Sequence, residues 1–281
     1  MRPTVGIIAG KGELPAYLAR HLCRTGRDVI FAEMDGFPAD NPDGHVSIPY
    51  RVEKLGSLFK SLKKAGVADV VFAGAVGRPR LEPAKFDFKT MTLAPKFLSA
   101  IKGGDDGLLR VVLSIFEGEG FAVKAAHEIA PDLLPSPGVL GKVQPSERDR
   151  KDAARAVAIV RALAVADVGQ GSVVAQGIAL AVEAAPGTDH MLDHVAHVAG
   201  RWRPDPNGPG GVLFKGPKAG QDRRVDLPVI GPATIDGALR AGLAGVAIEA
   251  GGVMVLDRQT VIEKADAAGI FVWARPEEGS P

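Results

Sequence analysis

One cysteine, almost no net charge and no long apolar run set the first limits on this chain. The lone Cys23 cannot close a disulfide within the chain, which excludes a disulfide-stapled scaffold and fits a reducing compartment. A formal net charge of +1 leaves no basic excess, so nucleic acid is not expected as the main partner. No apolar stretch approaches the ~20 residues that span a bilayer. The first residues lead straight into an apolar strand pattern, so no cleavable signal is expected and the location expected is the cytosol. No repeat recurs at a fixed period. What is present is ordinary for a globular protein: 281 residues, 46% hydrophobic and 24% charged, long enough for a sizeable core and two domains.

The N-terminal half alternates. Thr4 to Ala9 is an apolar, β-rich run; Glu13 to Arg24 carries Leu14, Leu18 and Leu22 on one helical stripe, with Pro15 suited to a first turn. Asp28 to Glu33 predicts a strand, Leu55 to Ala65 a helix, Val67 to Ala73 a strand, Leu108 to Gly118 a helix and Phe121 to Ala125 a strand. This order predicts an α/β fold: a Rossmann-like parallel sheet with helices on both faces. Ligands of such sheets bind outside the carboxyl ends of the strands. Those ends carry Gly10-Lys11-Gly12, Gly74 to Arg78, and Gly103-Gly104-Asp105-Asp106. Gly10 and Gly12 allow close approach to a phosphate at a helix N-terminus, with Lys11 adding charge; the alternative is a tight turn that needs only glycine. A Gly-x-Gly turn with Glu33 at the end of the second strand also imitates a dinucleotide fingerprint, but Leu14 and Pro15 stand where its third glycine belongs. One of Asp105 and Asp106 is expected to cap the helix that follows while the other faces a ligand. Between Lys89, Lys96 and Lys102, apolar Met91, Leu93, Phe97, Leu98 and Ile101 suit either a core or an anionic amphiphile.

The proline and glycine density of residues 131–145 marks a linker, which divides the chain into an N-terminal domain, 1–130, and a C-terminal α+β domain, 146–276. Ser146 to Asp149 opens a long helix expected to reach about Val168. Ser172 to Ala185 reads as a strand or hairpin, and Thr188 or Asp189 as the cap of a helix from His190. His190, His194 and His197 share a helical face at zinc-ligand spacing but lack the glutamate a zincin carries between its first pair.

The stretch Gln221-Asp-Arg-Arg-Val-Asp-Leu-Pro-Val-Ile-Gly-Pro232 is charged at one end and proline-stiffened at the other. Upstream, Gly211 to Lys218 is a short strand candidate that carries Lys215 and Lys218 into a loop. In an extended segment, residues four apart point the same way, so Asp222 and Asp226 are expected to face one cavity. Hard cations take oxygen ligands, and Mg²⁺ often uses one or two carboxylates with substrate phosphates. The alternative is a solvated, salt-bridged loop.

Three motifs, Gly103-Gly-Asp-Asp-Gly-Leu-Leu-Arg110, Val182-Glu-Ala-Ala-Pro-Gly-Thr-Asp189 and Gln221 to Pro232, resemble those of the LpxI-type UDP-2,3-diacylglucosamine pyrophosphatases, and the likeness runs from Gly6 to the region of Asp266. The resemblance implies Mg²⁺-dependent hydrolysis of a UDP-linked diacylglucosamine in lipid A biosynthesis. The products would be UMP and 2,3-diacylglucosamine 1-phosphate (lipid X), with water attacking the sugar-side phosphorus. It also implies two domains and a homodimer; the location expected is the cytoplasm, where an exposed apolar patch would allow peripheral contact with the inner membrane. On this reading Asp226 holds the metal or orients water, supported by Asp222, and Lys215 neutralises phosphate. Gly10, Lys11, Gly12, Gly74, Arg78, Asp105, Thr188, Asp189 and Gln221 contact substrate. Phe97, Leu98, Phe214 and Leu227 are candidates for an acyl-chain wall. The alternatives are an NAD- or nucleotide-sugar-binding protein without hydrolase activity, or an NAD-dependent oxidoreductase.

Overall fold

The computed structural model describes residues 4–77, 79–101, 104–218 and 222–276, with the backbone alone described at 98–101 and 104–106. The chain divides into two compact units, 1–131 with 222–226, and 132–221 with 227–281.

The first unit runs β1 (Thr4–Ala9), α1 (Leu14–Arg24), β2 (Val29–Met34), β3 (Ser47–Tyr50), α2 (Leu55–Lys64), β4 (Val67–Ala73), α3 (Phe88–Ile101), α4 (Gly104–Gly118), β5 (Ala122–Lys124) and α5 (Ala126–Ile129). Its five strands pair in the order β3-β2-β1-β4-β5, all parallel. Parallel strands covered on both faces must be apolar throughout, which is why β1 is buried from Val5 to Ala9. The stripe on α1 buries Leu14, Leu18 and Leu22, each contributing about 1.5–3 kcal/mol on leaving water. Leu58 and Leu62 of α2, Leu93 of α3 and Leu113 of α4 join Ile8, Ile30 and Val70 of the strands in one core. Phe116 sits at its centre, edge-on to Phe59 and to Phe72 at 5.1 Å each. The two aspartates expected ahead of α4 fall inside its first turn, because the helix already begins at Gly104.

The second unit contains β6 (Gly138–Val139), α6 (Glu147–Ala164), β7 (Gly171–Ala175), β8 (Ile178–Val182), α7 (Gly187–His197), β9 (Val212–Lys215), β10 (Val229–Ile230), α8 (Pro232–Arg240), β11 (Gly245–Glu249), β12 (Met254–Val255), α9 (Arg258–Ala268) and β13 (Phe271–Arg275). A mixed six-stranded sheet has the order β6-β13-β11-β9-β7-β8, with β9, β11 and β13 parallel; β10 and β12 form a separate pair. One core places Ala153, Ala156, Val157 and Val160 of α6 against Val174, Val212, Phe214 and Phe271. Another gathers Leu192, Val195, Ile235, Ala238 and Val261 of α7, α8 and α9 with Leu213, Val246 and Val272.

Two local expectations change, and the strand or hairpin expected from Ser172 to Ala185 resolves as a hairpin. The proline-rich stretch expected to be only a linker supplies β6, antiparallel to β13, and Leu140 and Lys142 beyond it donate N–H groups to Val272 O and Asp266 Oδ1. Helix α6 starts as expected, with the hydroxyl of Ser146 capping Asp149 N, but it stops at Ala164; Asp167 at φ 55° and Gly169 at φ 59° turn the chain out of the helix. The β7–β8 hairpin turns through Gln176 and Gly177, both at positive φ, and their N–H groups donate to the buried carboxylate of Asp152 at 2.8 and 2.7 Å.

Candidate functional site

In the first unit the strand order reverses between β1 and β4, where ligands of such sheets gather. Here the chain segments after the two strands cross closely. Gly10 N donates to Ala73 O, while Lys11 and Ala75 exchange N–H···O bonds of 2.9 and 2.8 Å. A Cβ on Gly10 would lie 2.5 Å from Ala75 O, and one on Gly74, at φ +86°, would lie 2.7 Å from the Gly10 carbonyl. Both glycines therefore answer to this backbone crossing. The N–H groups of Gly10 and Lys11 are engaged in it and do not point at a phosphate. Gly12, at φ +104°, borders open space, and the Lys11 side chain is exposed, so these two keep the capacity to meet an anion. Arg78 and Gln221 lie outside the described residues, as does the side chain of Asp105.

The segment 222–226 is not extended. Val225 N and Asp226 N both donate to Asp222 O, at 3.2 and 3.3 Å, which winds the chain into a turn. The carboxylate of Asp222 closes it. Its Oδ1 accepts from Arg224 N and Nε at 3.0 Å each, and its Oδ2 from Arg224 Nη2 at 2.8 Å. An aspartate that takes the N–H two residues on is a common turn former. Arg224 also donates to Glu117 of α4 at 2.6 Å, and Val225 packs against the first unit's core. The shared side of an extended segment, on which the pairing of Asp222 with Asp226 was expected, thus does not exist. The hydrogen bond from Arg224 holds the Asp222 carboxyl below the ordinary aspartate range. Asp226 ends the turn half-buried.

The second unit brings a different set together, at the carboxyl ends of β8 and β9. Lys215, the last residue of β9, is only 9% exposed, and its Nζ donates to Thr188 Oγ1 at 2.6 Å. Thr188 or Asp189 was expected to cap α7. The helix instead begins at Gly187, φ +87°, with no side-chain cap, and the hydroxyl is turned to the lysine. Burial pushes the Lys215 ammonium below the ordinary lysine range; the carboxylates of Glu183 and then Asp189 pull it back. Glu183 N donates to Gly171 O, and Gly171 faces Lys215 across the β7–β9 ladder. Glu183 Oε2 is buried without a hydrogen-bond partner among the described residues, and a Cβ on Gly171 would come within 2.7 Å of it. Lys218, three residues on, pairs with Asp167 at 2.5 Å.

Lys215, Thr188 and Asp189, separated in sequence, are therefore brought together. Asp222 and Asp226 lie in the other unit, with Gly10 to Gly12 and Gly74. Glu183, within the Val182–Asp189 motif, is a site neighbour that the sequence signals only as a carboxylate directly after an apolar strand. Phe214, proposed as acyl wall, is 3% exposed within the α6-side core, and Leu227 is 7% exposed; neither is free to line a groove. Phe97 packs partly against the first unit's core, and the side chain of Leu98 lies outside the described residues. On α7 the face opposite Met191, Leu192 and Val195 exposes His190, His194 and His197, and His197 Nδ1 contacts Asp193 O at 2.9 Å.

Among the described residues, no group of three or more His, Cys, Asp or Glu is placed to hold a metal. Mg²⁺ needs no such cage when substrate phosphates complete its shell. Asp222, with both oxygens bound by Arg224, does not fit as a direct ligand. Asp226, a half-buried carboxylate, has the donor chemistry such a cation takes.

The chain matches two family models, "LpxI N-terminal domain" over residues 4–133 and "LpxI C-terminal domain" over residues 136–273. It is 41% identical over 268 residues to "UDP-2,3-diacylglucosamine pyrophosphatase LpxI" of Caulobacter vibrioides, across 95% of this chain and 96% of that protein.

Proposed function

The chain belongs to the LpxI family, and on that premise we propose that it is a hydrolase of lipid A biosynthesis that cleaves the pyrophosphate of UDP-2,3-diacylglucosamine. The observation that carries this reading in chemical terms is Lys215. A lysine held nine-tenths buried at a strand's carboxyl end, with a threonine hydroxyl as its one hydrogen-bond acceptor among the described residues, has N–H groups left for an anion.

The reaction is the addition of water to the sugar-side phosphorus with cleavage of the bond to UMP, leaving 2,3-diacylglucosamine 1-phosphate. Charge builds on the phosphoryl oxygens as the bond breaks, so catalysis rests on position and electrostatics. Lys215 neutralises part of that charge, and Thr188 fixes its direction. Asp226 holds Mg²⁺ or orients water; Lys11 and Gly12, with Arg78, Asp105, Asp189 and Gln221, are assigned to substrate binding. Mg²⁺, when bound, supplies a Lewis acid for phosphate oxygens and lowers the pKa of its water. The acyl chains gain about 0.8 kcal/mol per buried methylene. On α3, Phe88 is 82% and Met91 59% exposed, which supports contact of this helix with acyl chains or a lipid surface.

Purified protein incubated with UDP-2,3-diacylglucosamine and Mg²⁺ is expected to release UMP and the acylated sugar phosphate, and EDTA to stop it. Binding without UMP would point to a nucleotide-sugar-binding protein instead. Asp226→Ala should keep a wild-type circular-dichroism spectrum and lose about 10²–10³-fold in turnover; undiminished turnover removes Asp226 from the chemistry.

A further inference from the structure

Glu183 has no place in the mechanism above, yet it is built into the second unit with care. Gly169 and Gly171 let its backbone and carboxylate lie against the start of β7: a Cβ on Gly169 would stand 1.9 Å from Glu183 O. The same approach brings the carboxylate so close to Gly171 that a Cβ there would stand 2.7 Å from Oε2, and Oε2 is buried with no hydrogen-bond partner among the described residues. A buried carboxylate oxygen without a donor costs free energy, so such an arrangement persists where a nearby cation compensates it. Gly171, to which Glu183 is bonded on one side, faces Lys215 of β9 on the other, and the hydrogen bond of that lysine goes to Thr188.

We propose that Glu183 is a positioning residue for the reaction: its carboxylate, set beside Lys215 without bonding to it, keeps that lysine an ammonium while leaving its hydrogens to Thr188 and a substrate phosphate. This rests on the reading that Lys215 meets phosphate. A carboxylate that accepted a short hydrogen bond from Lys215 would compete with the substrate for it. One that acts only through its field maintains the charge and leaves the donor available. The balance it serves is visible in the other groups nearby. Burial works against the charged form of Lys215, and Asp189 of α7 is the second carboxylate acting for it. Glu249 ends β11 one residue beyond the Ile248 that pairs with Lys215, and Lys218 is neutralised by Asp167.

The test is the alkaline limb of the kcat/KM–pH profile for UDP-2,3-diacylglucosamine. Loss of a neighbouring opposite charge moves a pKa by about one unit or more. Glu183→Gln, of the same shape, should therefore shift the lysine limb about one unit or more toward lower pH, with kcat/KM at the acid end of the profile close to wild type. Lys215→Arg, whose charge does not titrate in this range, should lose the lysine limb; adding Glu183→Gln to it should move nothing. The uracil ring of the substrate titrates alike in every variant. If Glu183→Gln does not fold, Glu183→Asp, which withdraws the charge by one methylene, should give a smaller shift in the same direction. An unmoved limb in a folded Glu183→Gln enzyme overturns the inference while leaving the role of Lys215 intact. Full activity in Lys215→Met overturns that role itself, and the inference with it.

Discussion

Substituting Gly10 by alanine puts the account of the first unit's glycine turns to a quantitative test. The new Cβ would stand 2.5 Å from Ala75 O and 2.7 Å from its carbonyl carbon, and neither is the end of a flexible side chain. The crossing segments must part. Doing so weakens the paired bonds between Lys11 and Ala75, each contributing about 0.5–1.5 kcal/mol net, and adds an overpacking cost of about 1–3 kcal/mol. The total, about 2–6 kcal/mol, is a large part of the stability of a unit this size. Urea unfolding followed by far-UV circular dichroism should show a lowered midpoint, and hydrogen exchange should show lost protection in peptides covering residues 4–12 and 67–77. Gly12→Ala is the control. Its φ of +104° makes a side chain strained, but nothing lies within 4 Å, so only conformational strain of about 1–3 kcal/mol is added and protection of 67–77 should hold. A Gly10→Ala protein with an unchanged midpoint and intact protection would refute the claim that the crossing requires glycine.

Two further outcomes follow from the charged groups. Lys215 has a folded-state pKa below the ordinary 10.5, so the unfolded chain binds its proton more readily, and wild-type stability should rise relative to Lys215→Met as pH climbs toward 10.5. Parallel denaturation curves from pH 7 upward check this; a wild-type stability minus variant stability that stays constant or falls contradicts it. Asp222 has the opposite sign: its folded pKa is depressed, so its contribution is complete above the ordinary 3.8 and is lost as pH falls below it. Asp222→Asn should then be less stable by about 1 kcal/mol at neutral pH, a difference that vanishes in acid. Its turnover should stay within a few-fold of wild type; a loss as deep as that of Asp226→Ala would place Asp222 in the chemistry after all.

The alternation of strands and helices in the first unit was legible because buried parallel strands and amphipathic helices each carry a strong hydrophobic period. Conformation at short polar segments was harder to read. The geometry of residues 222–226 turns on one aspartate accepting its neighbours' N–H groups, which a charge pattern alone does not distinguish from an extended loop. Gly138 and Val139 form a strand because an edge of β13 is there to receive them, although their own neighbourhood is rich in proline. At the candidate site, Lys215 and Thr188 could be named, but not their hydrogen bond, which links residues 27 apart in sequence. Glu183 was hidden for the same reason: what sets it apart is its approach to Gly171 across the hairpin and the lack of a donor to Oε2 among the described residues.

The first unit is also not finished where its sheet is. Val225 and Arg224, which reach its core and α4, lie about a hundred residues downstream of β5. During synthesis at about 5–20 residues per second, the nascent sheet waits some five to twenty seconds with that place on its surface uncovered. A fragment ending at residue 131 would stay in that waiting state for good, and adding a peptide spanning 222–226 in trans is the way to relieve it.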